Sequence, residues 1–571
     1  MKILGISCYY HDAAVALIDD GKIIAAAEEE RFSRKKHDSG FPTRASEFCL
    51  KSAGISANDV GWVVFYEKPF TKFERITLSS LATVPFGRGQ FVNAYKTWLK
   101  DKIWIKSTIA KELGVPFQKI LFTGHHISHA AGTYLTSPFD SAAILTCDGV
   151  GEWTTTAYGN GRKNKVYLDK EIKFPHSLGL FYSTFTQFLG FQVNEGEFKV
   201  MGLAPYGRPI YIDKVEKLIN QSTDGSFHLD LSYFKFYLND RVSYSQKFVD
   251  LFDVKPVDPK DSDEVRQVYA DIAASAQKVL DDKLLVVARH VREKTGEKNL
   301  CYSGGVALNG VTNWKIFKEA GFENVFIHPA AGDSGGALGA ALYLYHHVLN
   351  KPTPKASPFA TPYLGAKATN SEIKDFLDKD DIKYEYLPDT KLNKRVIDLL
   401  IKKKVVGWVK GGFEWGPRAL GARSILADPR DKKMKDLVNA KIKFREAFRP
   451  FAPVVLYEKA ERYFDVGRDK NQQPLQYMIA VVPVKKDQQK NLGAITHVDG
   501  TARPQFIKRS VNKNYYDVVR GFGDKTGVYV LLNTSFNLKG EPIVNTPEEA
   551  YATFMKSGID ALVLENYLVL K

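Results

Sequence analysis

The chain has no CxxC pair. Its four cysteines, Cys8, Cys49, Cys147 and Cys301, are widely scattered. That argues against a disulfide framework or a zinc ribbon and fits a reducing, cytoplasmic setting. No apolar run reaches membrane-spanning length. The opening stretch, residues 1–8, has too short an apolar run for a signal peptide and reads as a strand. There is no HExxH around the histidine cluster: position 126 is His, and no glutamate lies between His125 and His129. This argues against a zinc protease. Negative charge is also in deficit, with 65 Asp+Glu against 80 Lys+Arg and a net charge of +15. The excess favours anionic partners such as nucleotides, phosphorylated metabolites or nucleic acid. The remainder is ordinary for a soluble globular protein, with 44% hydrophobic and 25% charged residues, but 571 residues are too many for one core.

Residues 2–8 read as a buried strand, followed by a hairpin from Ala13 to Ala27 that turns at Asp19-Asp20-Gly21. The charged run from Glu28 to His37 is expected to be helical, and residues 42–54 form an amphipathic helix. The strand–loop–hairpin pattern returns at residues 142–168, with Asp148-Gly149 in the loop. Two such loops facing each other across a cleft are the phosphate-handling arrangement of actin-like folds, so the pattern reads as a weak internal repeat. A long helix is expected over 264–295, strands at 299–302 and 324–328, and Gly-rich loops after both strands. Prolines at 352, 354, 358 and 362 mark a linker. The expected division is 1–350, a linker at 351–365, and a separate α/β domain at 366–571, with helices near 370–378 and 391–403 and a strand at 405–409.

His125 and His129, four apart, share a helix face. Asp148 ends a strand nineteen residues later, and Asp333 lies in a Gly-rich loop that opens a helix. Two imidazoles and two carboxylates make a mixed nitrogen–oxygen metal site whose open positions suit phosphate oxygens. Ser303-Gly304-Gly305 follows a strand, where small residues let backbone amides approach a nucleotide. In the C-terminal part, Arg418 and Arg423 sit in a small-residue frame. Lys441, Lys443, Arg445, Arg449 and Arg503 follow, with Asn533, Ser535 and Asn537 beyond. Arginine forks match phosphate and carboxylate oxygens in pairs, so this set suits a polyphosphate.

At these residues the chain resembles the NodU/CmcH O-carbamoyltransferase family, which includes the nebramycin 5′ synthase type. The motifs that carry the resemblance are His11-Asp12-Ala13-Ala14, Glu28-Glu29-Glu30-Arg31-Phe32, Lys35-Lys36-His37, His125 to His129, Lys199 to Ala204, Ser303 to Val306, Gly416 to Gly421, Arg449 to Pro453 and Asn533 to Asn537. The resemblance implies an N-terminal duplicated actin-like (ASKHA) domain like the tRNA threonylcarbamoyl-transferase subunit, and a C-terminal YrdC-like α/β domain. It implies that ATP, as its Mg(II) complex, and carbamoyl phosphate give a carbamoyl-adenylate in the C-terminal domain. The N-terminal domain then carries the carbamoyl group to a hydroxyl of a small molecule and releases AMP. His125, His129, Asp148 and Asp333 would hold Fe(II) or a similar divalent ion. His11 and Lys36 would act at the transfer site. Gly149, Lys199, Ser303, Gly304, Gly305, Val306 and Asn309 would line the nucleotide there. Arg418, Arg423, Lys443, Arg449, Arg503, Asn533 and Ser535 would form the adenylating site. Tyr9 stands where an aminoglycoside-modifying relative has an acidic residue, which argues against a polycationic aminosugar as acceptor.

The expected protein is a cytoplasmic monomer or homodimer without membrane or nucleic-acid partners. A tRNA threonylcarbamoylation-type enzyme acting on RNA is the alternative. A degenerate regulatory nucleotide-binding protein is the third reading, opposed by the intact His125, His129, Asp148 and Asp333. The acceptor surface is expected near 68–110 and 225–260, where no motif is readable.

Overall fold

The computed structural model describes residues 1–83, 95, 98, 103–238, 241–261, 265–351, 359, 361–446 and 448–571. Much of the stretch near 68–110 and most of the Pro-rich linker therefore lie outside the described residues. The chain forms two units: residues 1–26 with 39–359, and residues 27–38 with 360–571. The first unit accordingly ends at Phe359, within the expected linker. The second unit takes in a short N-terminal segment that the sequence assigns to the first domain.

In the first unit, β1 (Lys2–Ser7) is buried on both faces, as a strand covered by helices on both sides must be. It pairs antiparallel with β2 (Ala14–Asp19), which turns at Asp20-Gly21 into β3 (Lys22–Glu28). On the other side of β1 lie β4 (Trp62–Phe65) and then β5 (Ile120–Phe122), both parallel to it, giving the order β3-β2-β1-β4-β5. α1 (Pro69–Ala82) follows β4, and α2 (His125–Tyr134) follows β5.

The second half repeats this plan. β6 (Ser141–Cys147) pairs antiparallel with β7 (Thr154–Arg162), which pairs with β8 (Lys165–Lys173). α3 (Leu178–Phe188) and the 29-residue α4 (Gln267–Thr295) follow. Then come β9 (Asn299–Ser303), parallel to β6, α5 (Gly310–Glu319), β10 (Asn324–Ile327), parallel to β9, and α6 (Asp333–Tyr343). The order β8-β7-β6-β9-β10 reproduces that of the first sheet strand for strand. The repeat read from two hairpins therefore extends to all five strands and to the helices after the fifth.

The helices that close the two halves, α2 and α6, meet through glycine. A Cβ on Gly339 would stand 1.8 Å from the Ser128 carbonyl oxygen, and one on Gly132 would stand 3.2 Å from the Gly335 carbonyl oxygen. Gly5 lets β1 approach α6 in the same way, since a Cβ there would lie 1.8 Å from the Ala337 oxygen.

The second unit is built on an eight-stranded mixed sheet. Its strands are β11 (Glu385–Tyr386), β12 (Val406–Val409), β13 (Arg423–Ala427), β14 (Ala452–Leu456), β15 (Gln505–Ile507), β16 (Val530–Ser535), β17 (Ala561–Leu564) and β18 (Tyr567–Leu570). Their order is β11-β18-β17-β12-β13-β16-β14-β15. α7 (Asp389–Ile401) and α8 (Lys513–Thr526) lay Val396, Leu400, Val519 and Phe522 on the core side chains Trp408 and Leu531. The charged run after β3 is helical only over Glu30–Ser33, and Arg34 at φ 61° ends the turn. Several of its charged side chains, Glu28, Arg31 and Arg34 among them, reach partners far along the chain. Arg34 donates to the Ile543 and Pro542 carbonyls at 2.7 and 3.0 Å, within the second unit.

The glycine crossing gives a direct test. Gly339→Ala should lower the stability of the first unit by about 1–3 kcal/mol through overpacking, read as a lower urea midpoint. An unchanged midpoint would show that the two helices can separate without cost.

Candidate metal centre and anion site

The duplication places functional side chains at equivalent points of the two halves. The β1–β2 loop carries His11 and the β6–β7 loop carries Asp148. The helix after the fifth strand carries His125 and His129 in one half and Asp333 in the other. His125 Nε2 lies 3.0 Å from Asp148 Oδ2 and 3.5 Å from Asp333 Oδ1. His129 Nε2 lies 3.2 and 3.4 Å from the same two oxygens and 3.1 Å from His125 Nε2. One ligand atom from each of the four side chains falls within 4.8 Å of all the others.

The arrangement passes a chemical test for a divalent ion. Two imidazole nitrogens 3.1 Å apart cannot both turn lone pairs on each other, whereas a cation between them and two carboxylate oxygens satisfies all four. Burial opposes charge on His129, but hydrogen bonds to Asp148 and Asp333 outweigh it and lift its pKa to about 9.

Neighbouring groups fix these ligands. Asp148 Oδ1 accepts from the Gly149 and Gly305 amides at 2.8 and 3.1 Å, which leaves Oδ2 to the histidines. Gly304, at φ 100°, permits this approach, since a Cβ there would lie 2.1 Å from the Cys147 oxygen. Glu152 accepts from the His125 amide at 3.0 Å and the Lys68 amide at 2.7 Å, so one carboxylate holds the N-terminal ends of α2 and α1. The Tyr66 hydroxyl is 3.5 Å from Asp333 Oδ2. Neither Glu152 nor Tyr66 belongs to a motif legible in the sequence. His11 Nδ1 is 3.0 Å from Asp12 Oδ2, and its Nε2 is 3.8 Å from Asp333 Oδ2. His126 instead turns its Nδ1 to the Thr146 hydroxyl at 2.7 Å.

The residues expected to line a nucleotide divide. Gly149 and Gly305 use their amides on Asp148. Ser303 donates its hydroxyl to the Ala331 carbonyl at 3.2 Å, and the Gly304 amide donates to the same oxygen, tying this loop to the one that precedes Asp333. Val306 is buried. Asn309 caps α5, accepting from the Val311 and Thr312 amides, and donates to Gln277 at 3.0 Å, so its polar atoms are already engaged. Lys199 lies on the short helix Glu197–Leu203, with its ammonium 5.4 Å from the centre of the Phe191 ring.

In the second unit, Arg418, Lys443, Arg449 and Arg503 come together, joined by Arg445. Burial and Arg449 bring Arg418 down to about 10. Burial, then Arg445, Arg449 and Lys36, hold Lys443 well below the usual lysine range, and Glu541 opposes them. Arg503 is lowered by burial and by Arg418, Arg445 and Arg449. Cations that bear on one another in this way suit an anion, which would relieve their repulsion. Lys443 Nζ is anchored by the Ser535 and Asn537 carbonyls at 2.9 and 2.8 Å and by Asn537 Oδ1 at 2.6 Å. Ser535 Oγ stands 3.3 Å from the same ammonium.

Arg423, Asn533 and Lys36, also expected at the sites, have these surroundings. Arg423 is buried and donates to the Gly411, Ala422 and Ala366 carbonyls at 2.8, 3.0 and 3.0 Å. Asn533 is buried and donates to the Ala419 carbonyl and to Gln505. Lys36 belongs to the second unit, where its charge bears on Lys443.

The first unit is thus a duplicated actin-like α/β domain in which two imidazoles and two carboxylates converge in an arrangement that could hold a metal ion, and the second is an α/β domain with a cluster of cations. The chain belongs to the NodU-type carbamoyltransferases: residues 2–342 match the family described as Carbamoyltransferase N-terminus, and residues 397–571 match Carbamoyltransferase C-terminus. An uncharacterized protein of Synechocystis sp. is 45% identical over 601 residues, covering 100% of this chain and 96% of its own. Nodulation protein NolNO of Sinorhizobium fredii is 36% identical, covering 99% of this chain and 79% of its own. Among solved structures, component A of (R)-2-hydroxyglutaryl-CoA dehydratase from Acidaminococcus fermentans aligns at 14% identity and a TM-score of 0.33, covering 61% of this chain and 99% of its own. Among the described residues no helix is long and apolar enough to cross a membrane.

Elemental analysis after anaerobic reconstitution with Fe(II) checks the centre. His129→Ala should weaken metal binding by at least about tenfold, on the scale of losses seen when metal sites are perturbed, and Lys443→Ala should leave metal content unchanged. Equal metal retention by His129→Ala and the wild type would remove His129 from the ligand set.

Proposed function

We propose that the chain is an ATP-dependent O-carbamoyltransferase acting on a hydroxylated small molecule in two steps. In the second unit water attacks the phosphorus of carbamoyl phosphate, the bond from phosphorus to the bridging oxygen breaks, and inorganic phosphate leaves carbamate with both of its oxygens. An oxygen of the resulting carbamate attacks the α-phosphorus of ATP, the α–β phosphoanhydride bond breaks, and pyrophosphate leaves. In the first unit the acceptor hydroxyl attacks the carbamoyl carbon, the bond from that carbon to the AMP oxygen breaks, and AMP leaves while the hydroxyl loses its proton.

What carries this reading is that both halves of the chain match carbamoyltransferase descriptions, which supplies the group transferred. The residues then suit the two steps. Arg418, Arg449 and Arg503 gather charge of the sign that ATP requires, and Lys443 adds a desolvated ammonium. In the first unit His125, His129, Asp148 and Asp333 would hold the divalent ion, which supplies Lewis acidity at the phosphate of the adenylate when bound. His11, beside Asp333 and held by Asp12, would hydrogen-bond the reacting oxygen. Free carbamate is a poor electrophile and its mixed anhydride hydrolyses readily, so making and using that anhydride within one chain limits its loss to water.

Full-length protein given ATP, Mg(II) and carbamoyl phosphate should release AMP and pyrophosphate. Arg449→Ala should slow pyrophosphate release about 100-fold, the scale of losing one preorganised charge contact. His129→Ala should abolish carbamoyl transfer while changing pyrophosphate release by less than about threefold, as expected of independent sites. Turnover supported only by threonine and bicarbonate would contradict the proposal.

A further inference from the structure

Arg418 projects from a loop running from Gly416 to Arg423, and the shape of that loop is imposed by two buried carboxylates. Glu414 is 3% exposed. A single oxygen of it, Oε1, accepts from the amides of Leu420, Ala422 and Arg423 at 2.8, 2.7 and 3.2 Å. Glu28 is 5% exposed, and its Oε1 accepts from the Gly416 amide at 3.0 Å. Arg31 closes the other side by donating to the Gly416 carbonyl at 3.1 Å, with its Nε 3.5 Å from Glu28 Oε2. The loop therefore starts on Glu28 and Arg31 and ends on Glu414, and Arg418 lies between these anchors. Gly416 at φ 112° and Gly421 at φ 104° take backbone conformations open to glycine, so the loop has a fixed course. At Gly421 a Cβ would also meet the Tyr515 ring at 2.1 Å.

Two carboxyl groups buried this deeply destabilise the fold unless their acceptor capacity is filled by well-placed donors. Here the donors are loop amides, and the side chain that the loop presents belongs to the cation cluster with Arg449 and Arg503. The contacts of Glu414 and Glu28 are with the loop backbone and Arg31, so their influence on the cluster runs through the loop.

We propose that Glu414 and Glu28 are positioning residues for polyphosphate binding: through the 416–423 loop they hold Arg418 in register with Arg449 and Arg503. This rests on the reading that the cluster binds the phosphates of ATP. It also assigns the N-terminal Glu-Glu-Glu-Arg motif to the chemistry of the second unit.

The test is a double-mutant cycle on the full-length chain, with Mg·ATP affinity read by calorimetry and steady-state KM and kcat for ATP alongside. Glu414→Gln keeps the side-chain shape and removes the charge, and Glu28→Gln does the same at the other anchor without touching Glu414. Each should weaken ATP binding about tenfold in the wild-type background, the loss expected when a charged acceptor becomes neutral, with KM rising more than kcat falls. In the Arg418→Ala background each should add less than about twofold, because partners that act through one group are not additive. Independent, multiplying losses would overturn the proposal, as would wild-type ATP affinity in both glutamine variants or in Arg418→Ala. Should Glu414→Gln fail to fold, the Glu28→Gln cycle decides on the same criteria. If the cycle behaves as expected but carbamoyl phosphate draws no pyrophosphate from ATP, the carbamoyltransferase mechanism fails and the positioning role stands.

Discussion

The first unit depends on the near-contact of two helices. α2 and α6 approach so closely that Gly339 lies against the Ser128 carbonyl. That spacing is what allows an imidazole on one helix and a carboxylate on the other to share one small volume. His129 Nε2 sits 3.4 Å from Asp333 Oδ1 because the backbones between them have no side chains to hold them apart. The duplication explains why the remaining ligands arrive at the same place. Each half sends a hairpin loop and a helix N-terminus to the site: His11 and Asp148 lie in equivalent loops, and His125 and Asp333 each open the equivalent helix.

The second unit solves the opposite electrostatic problem. The cluster in the first unit concentrates carboxylate and imidazole donors that suit a cation, whereas Arg418, Lys443, Arg445, Arg449 and Arg503 concentrate positive charge that suits an anion. Their mutual repulsion is tolerated because rigid backbone groups hold them. Lys443 is fixed by two carbonyls and Asn537, and Arg445 donates to Asn439 at 3.0 Å.

Much of this was legible from residue order. The hairpin at Asp20-Gly21, α7 and β12 lie where alternation and turn chemistry put them, and the His125/His129 spacing with two strand-end aspartates identified a cluster that the structure brings together. Illegible were the features that depend on distant partners. Residues 27–38 join the second unit through contacts hundreds of positions away, as when Glu28 meets Gly416. Arginine types at 418 and 423 look alike in sequence, yet one enters the cation cluster and the other spends its guanidinium on three carbonyls. Asn309 and Asn533 likewise serve helix capping and strand packing. Glu152 and Glu414 carry no motif, and their roles appear only when the amides they accept from are located.

The central claim is that a carbamoyl group passes through a mixed anhydride with AMP. The most direct measurement follows oxygen. With carbamoyl phosphate labelled with 18O in its carbamate oxygens, the attack of carbamate on ATP places one of those oxygens between carbon and phosphorus. Later cleavage on the carbon side leaves it in AMP. The account predicts 18O in the phosphate of recovered AMP, by mass spectrometry, in step with pyrophosphate formation. Unlabelled AMP, or ADP as the nucleotide product, would contradict it.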